Sequence, residues 1–248
     1  MQNWKVVMVA TLVAMAGTGA ATAAEIIILA GQGNISGARD LSAGFEQATG
    51  HKVTARQERN VLDTVNAGTP ADIVLANPPV IDNLIRQGKV VGTRVDFARA
   101  GIGVAIKAGA PKPDLSNTEA FKRALLNAKS IGYSTVGSGL MAAKIIERLG
   151  LAETLKARTK FLDGFPAAEA VARGEVEIAL QQINVILPVK GAELAGPLPA
   201  ELQQYNYFAA GVLAVSKERE IATAMVSFMG APENEALVRK SGLEPPAR

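Results

Sequence analysis

Three stretches of the chain, 30–37, 57–60 and 134–139, gather Gly, Ser, Thr, Asn or Gln immediately ahead of helix-period sequence. A helix that starts there presents unpaired backbone N–H groups and the positive end of its dipole. Such a junction can hold an anion without any charged side chain. The candidate contacts are Gln32, Gly33 and Asn34 in the first stretch, Arg59 and Asn60 in the second, and Ser134, Thr135, Gly137, Ser138 and Gly139 in the third. Capping alone is the plainer role for Ser36, Asn60 and Ser138, and a tight turn the plainer role for Gly137 and Gly139. Recurrence of the same junction three times favours a shared ligand. Arg39, in the first turn of the first predicted helix, and Arg59 can each fork onto a carboxylate. Gln181, Gln182 and Asn184 follow a predicted buried strand and read as neutral hydrogen-bonding groups facing a cleft.

Other chemistry is poorly served. Cysteine is absent, which removes disulfides, thiol catalysis and thiolate-bound zinc. The one histidine, His51, sits at a predicted strand start and reads as a turn residue. Ser138 follows Val136-Gly137, so no nucleophile elbow of the Gly-x-Ser-x-Gly type is present there. Residues 31–36 approach a dinucleotide fingerprint, with Glu58 as a ribose acceptor, but the third small residue is Ser36 rather than glycine. No catalytic residue, metal ligand or cofactor is assigned, and the chain is read as a binder, not an enzyme.

Residues 1–24 place Lys5 before an apolar run from Val6 to Ala16 and carry Ala21-Thr22-Ala23 near their end. That order predicts an export signal removed from a periplasmic protein, too short in its apolar part to span a bilayer. Loss of Lys5 lowers 26 basic residues to 25 against 23 acidic ones. This balance excludes a nucleic-acid binder, which needs a concentrated basic face. About 225 residues remain, enough for one large domain or two small lobes.

Their order predicts alternating strands and helices, an α/β fold. Strands are expected at 26–29, 51–56, 73–76, 101–106, 131–133, 176–180 and 208–215. Helices are expected after Ser36, Asn60 and Asn77, over 118–127, from Ser138, over 166–173, and over 218–229 and 232–241. Residues 188–199 read as loop. In an open α/β sheet the strand-to-helix loops lie at the carboxyl ends of strands, where ligands bind.

Several segments carry a family likeness. They are Thr69-Pro70-Ala71-Asp72-Ile73-Val74, Gly88-Lys89-Val90-Val91, Arg99 to Ala105 (RAGIGVA), Gly109 to Asp114 (GAPKPD), Gly132 to Gly139 (GYSTVGSG) and Glu147 to Leu151 (ERLGL). Through them the chain resembles the periplasmic molybdate-binding and related solute-binding proteins of ABC importers. The resemblance implies a type II periplasmic binding protein fold, with lobe one from 25–99 and 206–248 and lobe two from 100–205. It implies a monomer that holds a small anion and meets the membrane subunits of an importer; an exported sensor of the same fold is the alternative. Molybdate-binding members use serines from the first two loops and a late tyrosine. Here Gln32, Asn34 and Gln57-Glu58-Arg59-Asn60 fill the first two loops, and Gln181-Gln182-Ile183-Asn184 the late position. Both a molybdate-like oxyanion and a small organic carboxylate stay open as ligands.

Overall fold

An unbroken apolar run such as Ile26 to Leu29 suits a strand covered on both faces. In the computed structural model, which describes residues 23–246, β1 (Glu25–Ala30) lies between β2 (Lys52–Gln57) and β3 (Ile73–Ala76), parallel to both. Residues 1–22 of the expected export signal lie outside the described residues. Helices α1 (Ile35–Thr49), α2 (Val61–Asn66) and α3 (Pro78–Arg86) follow the three strands in turn. α1 buries Ala38, Leu41 and Phe45 on one face and stops at Gly50, whose φ of 79° a side chain would oppose. Asn60 accepts from the N–H groups of Leu62 and Asp63 and so caps α2. α3 opens on Pro78, which has no amide hydrogen to leave unpaired.

β4 (Val90–Lys107) runs through both halves of the molecule. Its first part pairs antiparallel with β9 (Tyr205–Leu213), and β9 pairs with β3. From Ile102 onward it pairs with β7 (Ile178–Gln182), and from Gly103 with β8 (Ala192–Pro197). β5 (Ile131–Tyr133) lies parallel to β7 on one side and to β6 (Thr159–Phe161) on the other. The sheet order is β2-β1-β3-β9-β4-β7-β5-β6, with β8 beside β4. α4 (Thr118–Asn127), α5 (Ser138–Arg148), α6 (Ala152–Leu155), α7 (Ala167–Ala172) and α8 (Ile183–Ile186) belong to the second half. α9 (Arg219–Gly230) and α10 (Glu235–Lys240) return to the first.

The core divides with the sheet. Ile26, Ile28, Leu41, Phe45, Phe97 and Met225 pack together in the first half; Phe121, Leu125, Ile131, Ile145 and Leu180 do so in the second. The alternate residues Leu29 and Ala105 look the other way, into separate clusters with Ile81 and Leu84 and with Val171 and Ile186. Each sheet is therefore covered on both faces, and each fully buried Leu or Ile contributes about 1.5–3 kcal/mol. The result is two α/β lobes joined where β4 and β9 cross between them.

The reading from sequence is corrected at five points. Residues 188–199 contain β8, whose residues 192–196 are all half-buried and so show no inside–outside alternation. The 159–161 strand is short and exposed at two of its three positions, which hid it equally well. β7 begins at Ile178 and reaches Gln182, so Gln181 and Gln182 are buried within a strand rather than following it. β4 also begins earlier than Gly101, and Ser36 lies inside α1 rather than capping it.

Candidate ligand-binding cleft

Parallel strands deliver their following loops to one edge of a sheet, and here the two edges face each other. Loops after β1, β2 and β3 in lobe one and after β5 and β6 in lobe two enclose a cleft of about 1120 Å³. The turns at 31–34, 57–60 and 134–138 all line it. Of the twelve residues selected from sequence, eleven reach the cleft and Gly139 does not. A Cβ on Gly139 would stand 1.7 Å from the Ser134 carbonyl oxygen, so this glycine permits the tight approach of α5 to its own loop. Arg39 is solvent-exposed on α1, away from the lining.

The eleven residues are not equally free. Asn60 is committed to its helix: its Oδ1 takes the two cap N–H groups and its Nδ2 donates to Asp63 at 2.7 Å. The Ser134 hydroxyl donates to the Val136 carbonyl at 2.7 Å. Gln181 Oε1 accepts from the Ala168 N–H at 3.0 Å, in the first turn of α7. Thr135 donates twice to Asp163, from its N–H at 2.8 Å and its hydroxyl at 2.7 Å. Gly137 takes φ 55° to open α5 at Ser138, and no side-chain bond caps that helix.

The uncommitted groups are Gln32, the Gly33 N–H, the Asn34 side chain, Arg59, Gln182 and the N–H groups of Gly137 and Ser138 where α5 starts. Arg59 is exposed on the cleft wall and has no ion-pair partner among the described residues. Asn34 and Gln182 are buried, and Asn34 Oδ1 and Gln182 Nε2 have no protein partner. Leaving a buried polar atom unpaired costs about 1–3 kcal/mol, so these groups are costly for the fold alone.

Gln182 crosses between lobes. A Cβ on Gly33 would meet Gln182 Oε1 at 2.6 Å and Phe208 Cζ at 3.3 Å, so only a glycine leaves room for this packing. Asn184, expected to face the cleft, sits behind it and donates to the Gly33 carbonyl at 2.9 Å and the Ser36 hydroxyl at 3.2 Å.

Sequence reasoning missed Asp163 entirely. This carboxylate follows β6, lines the cleft and is held well ionised: the hydrogen bonds from Thr135 depress its pKa, and the positive charge of Arg59 adds to the effect. Glu58 was noted only as a ribose acceptor. It lines the cleft, pairs with Arg56 at 3.0 Å and accepts from the Thr64 hydroxyl at 3.2 Å. Asn77 and Asn206 add further amides to the wall. His51 is remote from this lining; it stacks on Phe45 and accepts from the Ala24 N–H at 3.2 Å. No group of three or more potential metal ligands occurs among the described residues. No described helix is long and apolar enough to cross a membrane.

Two α/β lobes, two crossings and an intervening cleft define the type II periplasmic binding protein fold. The sequence pattern of the bacterial extracellular solute-binding proteins matches residues 26–244, and the chain belongs to that family. The periplasmic molybdate-binding protein of Azotobacter vinelandii superposes with a TM-score of 0.73 at 20% identity, covering 90% of this chain and 100% of the other. The sulfate-binding protein SubI of Mycobacterium tuberculosis gives 0.69 at 19% identity, over 90% and 87% of the two chains. In sequence, the chain is 30% identical over 229 residues to an aconitate isomerase of a Pseudomonas species, spanning 89% of this chain and 87% of that protein. It is 24% identical over 234 residues to the A. vinelandii molybdate-binding protein ModA, spanning 90% and 91%.

Proposed function

We propose that the protein is an exported, periplasmic receptor that captures a small organic polycarboxylate between its lobes for delivery to an ABC importer. The observation that carries this reading is Arg59, an unpaired guanidinium on the wall of a cleft otherwise rich in side-chain amides. Its planar fork matches a carboxylate in two parallel hydrogen bonds. The side-chain amides of Gln32 and Gln182, one from each lobe, can donate to further carboxylate oxygens, and Gly137 and Ser138 at the start of α5 supply backbone N–H groups opposite. A tetrahedral oxyanion held by neutral donors is served less well, because Ser134 and Thr135 already hydrogen-bond to other groups. The likeness to a protein named for aconitate, a tricarboxylate, supports the same ligand class.

The test is thermal unfolding against aconitate, citrate, malate, molybdate, tungstate and sulfate. A ligand at about 100 times its Kd adds about 2.7 kcal/mol. For a chain of this size that is a rise of about 5 to 11 °C. A rise with a carboxylate supports the proposal; none with any carboxylate overturns it.

One observation favours a second reading, in which bound aconitate is also isomerised. The relative at 30% identity bears that activity in its name, and the cleft contains Glu58, a carboxylate beside the arginine. Rotation about a C=C bond is barred while the π bond stands. A side chain can circumvent this by taking an allylic proton, which the delocalised carbanion regains at its other end. Incubation of trans-aconitate with the protein in D₂O, followed by proton NMR, separates the readings. Appearance of the cis isomer establishes turnover; an unchanged spectrum with saturable binding leaves capture alone.

A further inference from the structure

We infer that Asp163 is the specificity residue that closes this cleft to compact inorganic oxyanions. The inference rests on the cleft being the ligand site. Because β6 lies parallel beside β5, the loops that leave them are neighbours at the cleft edge. Across that edge the Asp163 carboxylate takes both donors of Thr135, the N–H at 2.8 Å through Oδ1 and the hydroxyl at 2.7 Å through Oδ2. A loop that resembles an anion cage in sequence thus already holds an anion, and that anion is part of the chain.

Two consequences follow from this placement. The Thr135 N–H and hydroxyl are withdrawn from any incoming ligand, and a fixed negative charge stands on the cleft wall facing the field of Arg59. A molybdate or sulfate ion carries two charges on oxygens packed around a single atom. It cannot lie against Arg59 and the lobe-two loop without presenting part of that charge to Asp163. A polycarboxylate separates its charges along a carbon skeleton. It can give one carboxylate to Arg59 and turn uncharged carbon toward Asp163. The same wall therefore discriminates between two classes of anion by how compactly each carries its charge.

The experiment compares the full-length mature wild type with Asp163→Ala, Asp163→Asn and Asp63→Asn. Calorimetric titration and thermal unfolding are read with sodium molybdate, sodium sulfate and trans-aconitate. Asp63 is also an exposed acid of the cleft lining, but it belongs to lobe one and pairs with Asn60, so it controls for mere loss of charge. The expected result is a wild type and an Asp63→Asn variant with no saturable oxyanion binding. Asp163→Ala should gain at least a 30-fold increase in molybdate or sulfate affinity over the wild-type limit. Asp163→Asn keeps the side-chain shape, so it reports the charge if the alanine variant folds poorly. The inference is overturned if both Asp163 variants stay blind to the two oxyanions, if the wild type already binds them, or if Asp63→Asn gains as much. Failure of the wild type to bind trans-aconitate bears on the proposed ligand class instead, and leaves the oxyanion comparison readable.

Discussion

The side-chain amide of Asn184, on α8 of lobe two, donates to the carbonyl of Gly33, in the first ligand loop of lobe one, at 2.9 Å. The same amide donates to the Ser36 hydroxyl at 3.2 Å, and Gly242 of the C-terminal turn packs on Asn184 so closely that a Cβ there would lie 3.0 Å from its Cα. One lobe is thereby fastened to the back of the other lobe's binding loop.

Asn184→Ala should weaken that attachment. It removes two hydrogen bonds and leaves the half-buried Gly33 carbonyl without this donor, at a cost of about 1–3 kcal/mol. The melting temperature should fall by about 2 to 12 °C. Thermal unfolding checks it, and an unchanged value would show that the amide contact adds nothing to the union of the lobes.

Gly33→Ala tests the opposite side of the same junction. Its new methyl would enter the space held by Gln182 Oε1 and approach Phe208, so either Gln182 leaves its place or the lobes part. Ligand affinity should drop by at least about tenfold, equivalent to about 1.4 kcal/mol. Calorimetric titration reads this directly; retained affinity would mean that the interlobe packing at Gly33 is dispensable.

Why the convergence of the loops was legible, and the role of Asp163 was not, has a physical basis. Gly33 and Arg59 sit in loops between a strand and a helix, Ser138 opens the helix after such a loop, and any parallel sheet gathers these junctions at one edge, so local sequence was enough to place them. Asp163 acquires its role through Thr135, 28 residues away, and only because β5 and β6 are neighbours. β6 itself, Thr159-Lys160-Phe161, has neither length nor alternation to reveal it. The two-residue error at β7 arose in Glu175-Val176-Glu177, where the buried Val176 imitates a strand start. Glu177 instead joins the loop before β5, its carboxylate accepting from Lys129 N–H and its own N–H donating to Ser130 Oγ. Gly139 was placed at the ligand from composition, whereas its backbone neighbour, the Ser134 carbonyl, makes it a packing residue.

Arg59→Ala should weaken carboxylate binding markedly and leave the fold intact. The side chain is exposed and makes no ion pair among the described residues, so its loss removes little from the folded state. Surface substitutions of this kind usually change stability by no more than about 0.5 kcal/mol. Removal of a charge-assisted contact to the ligand should cost about 1.5–3 kcal/mol of binding, or about 10- to 150-fold in Kd. Unchanged affinity with unchanged melting temperature would return Arg59 to the solvent-facing surface.

The pH dependence of Asp163 follows from the sign of its shift. Hydrogen bonds from the Thr135 N–H and hydroxyl, and then the charge of Arg59, depress its pKa below the ordinary 3.8. A depressed carboxyl contributes stability that is fully present above its unfolded value and is lost as pH falls through the folded one. The carboxylate therefore remains charged from about pH 5 upward, and the wall it forms does not change across the ordinary working range. Melting temperatures of the wild type and Asp163→Asn should differ by a constant amount between about pH 5 and 8, then converge as the pH drops below 3.8. Oxyanion rejection by the wild type should persist over the same plateau. A gap that instead closes near neutral pH would mean that the group titrating is not Asp163.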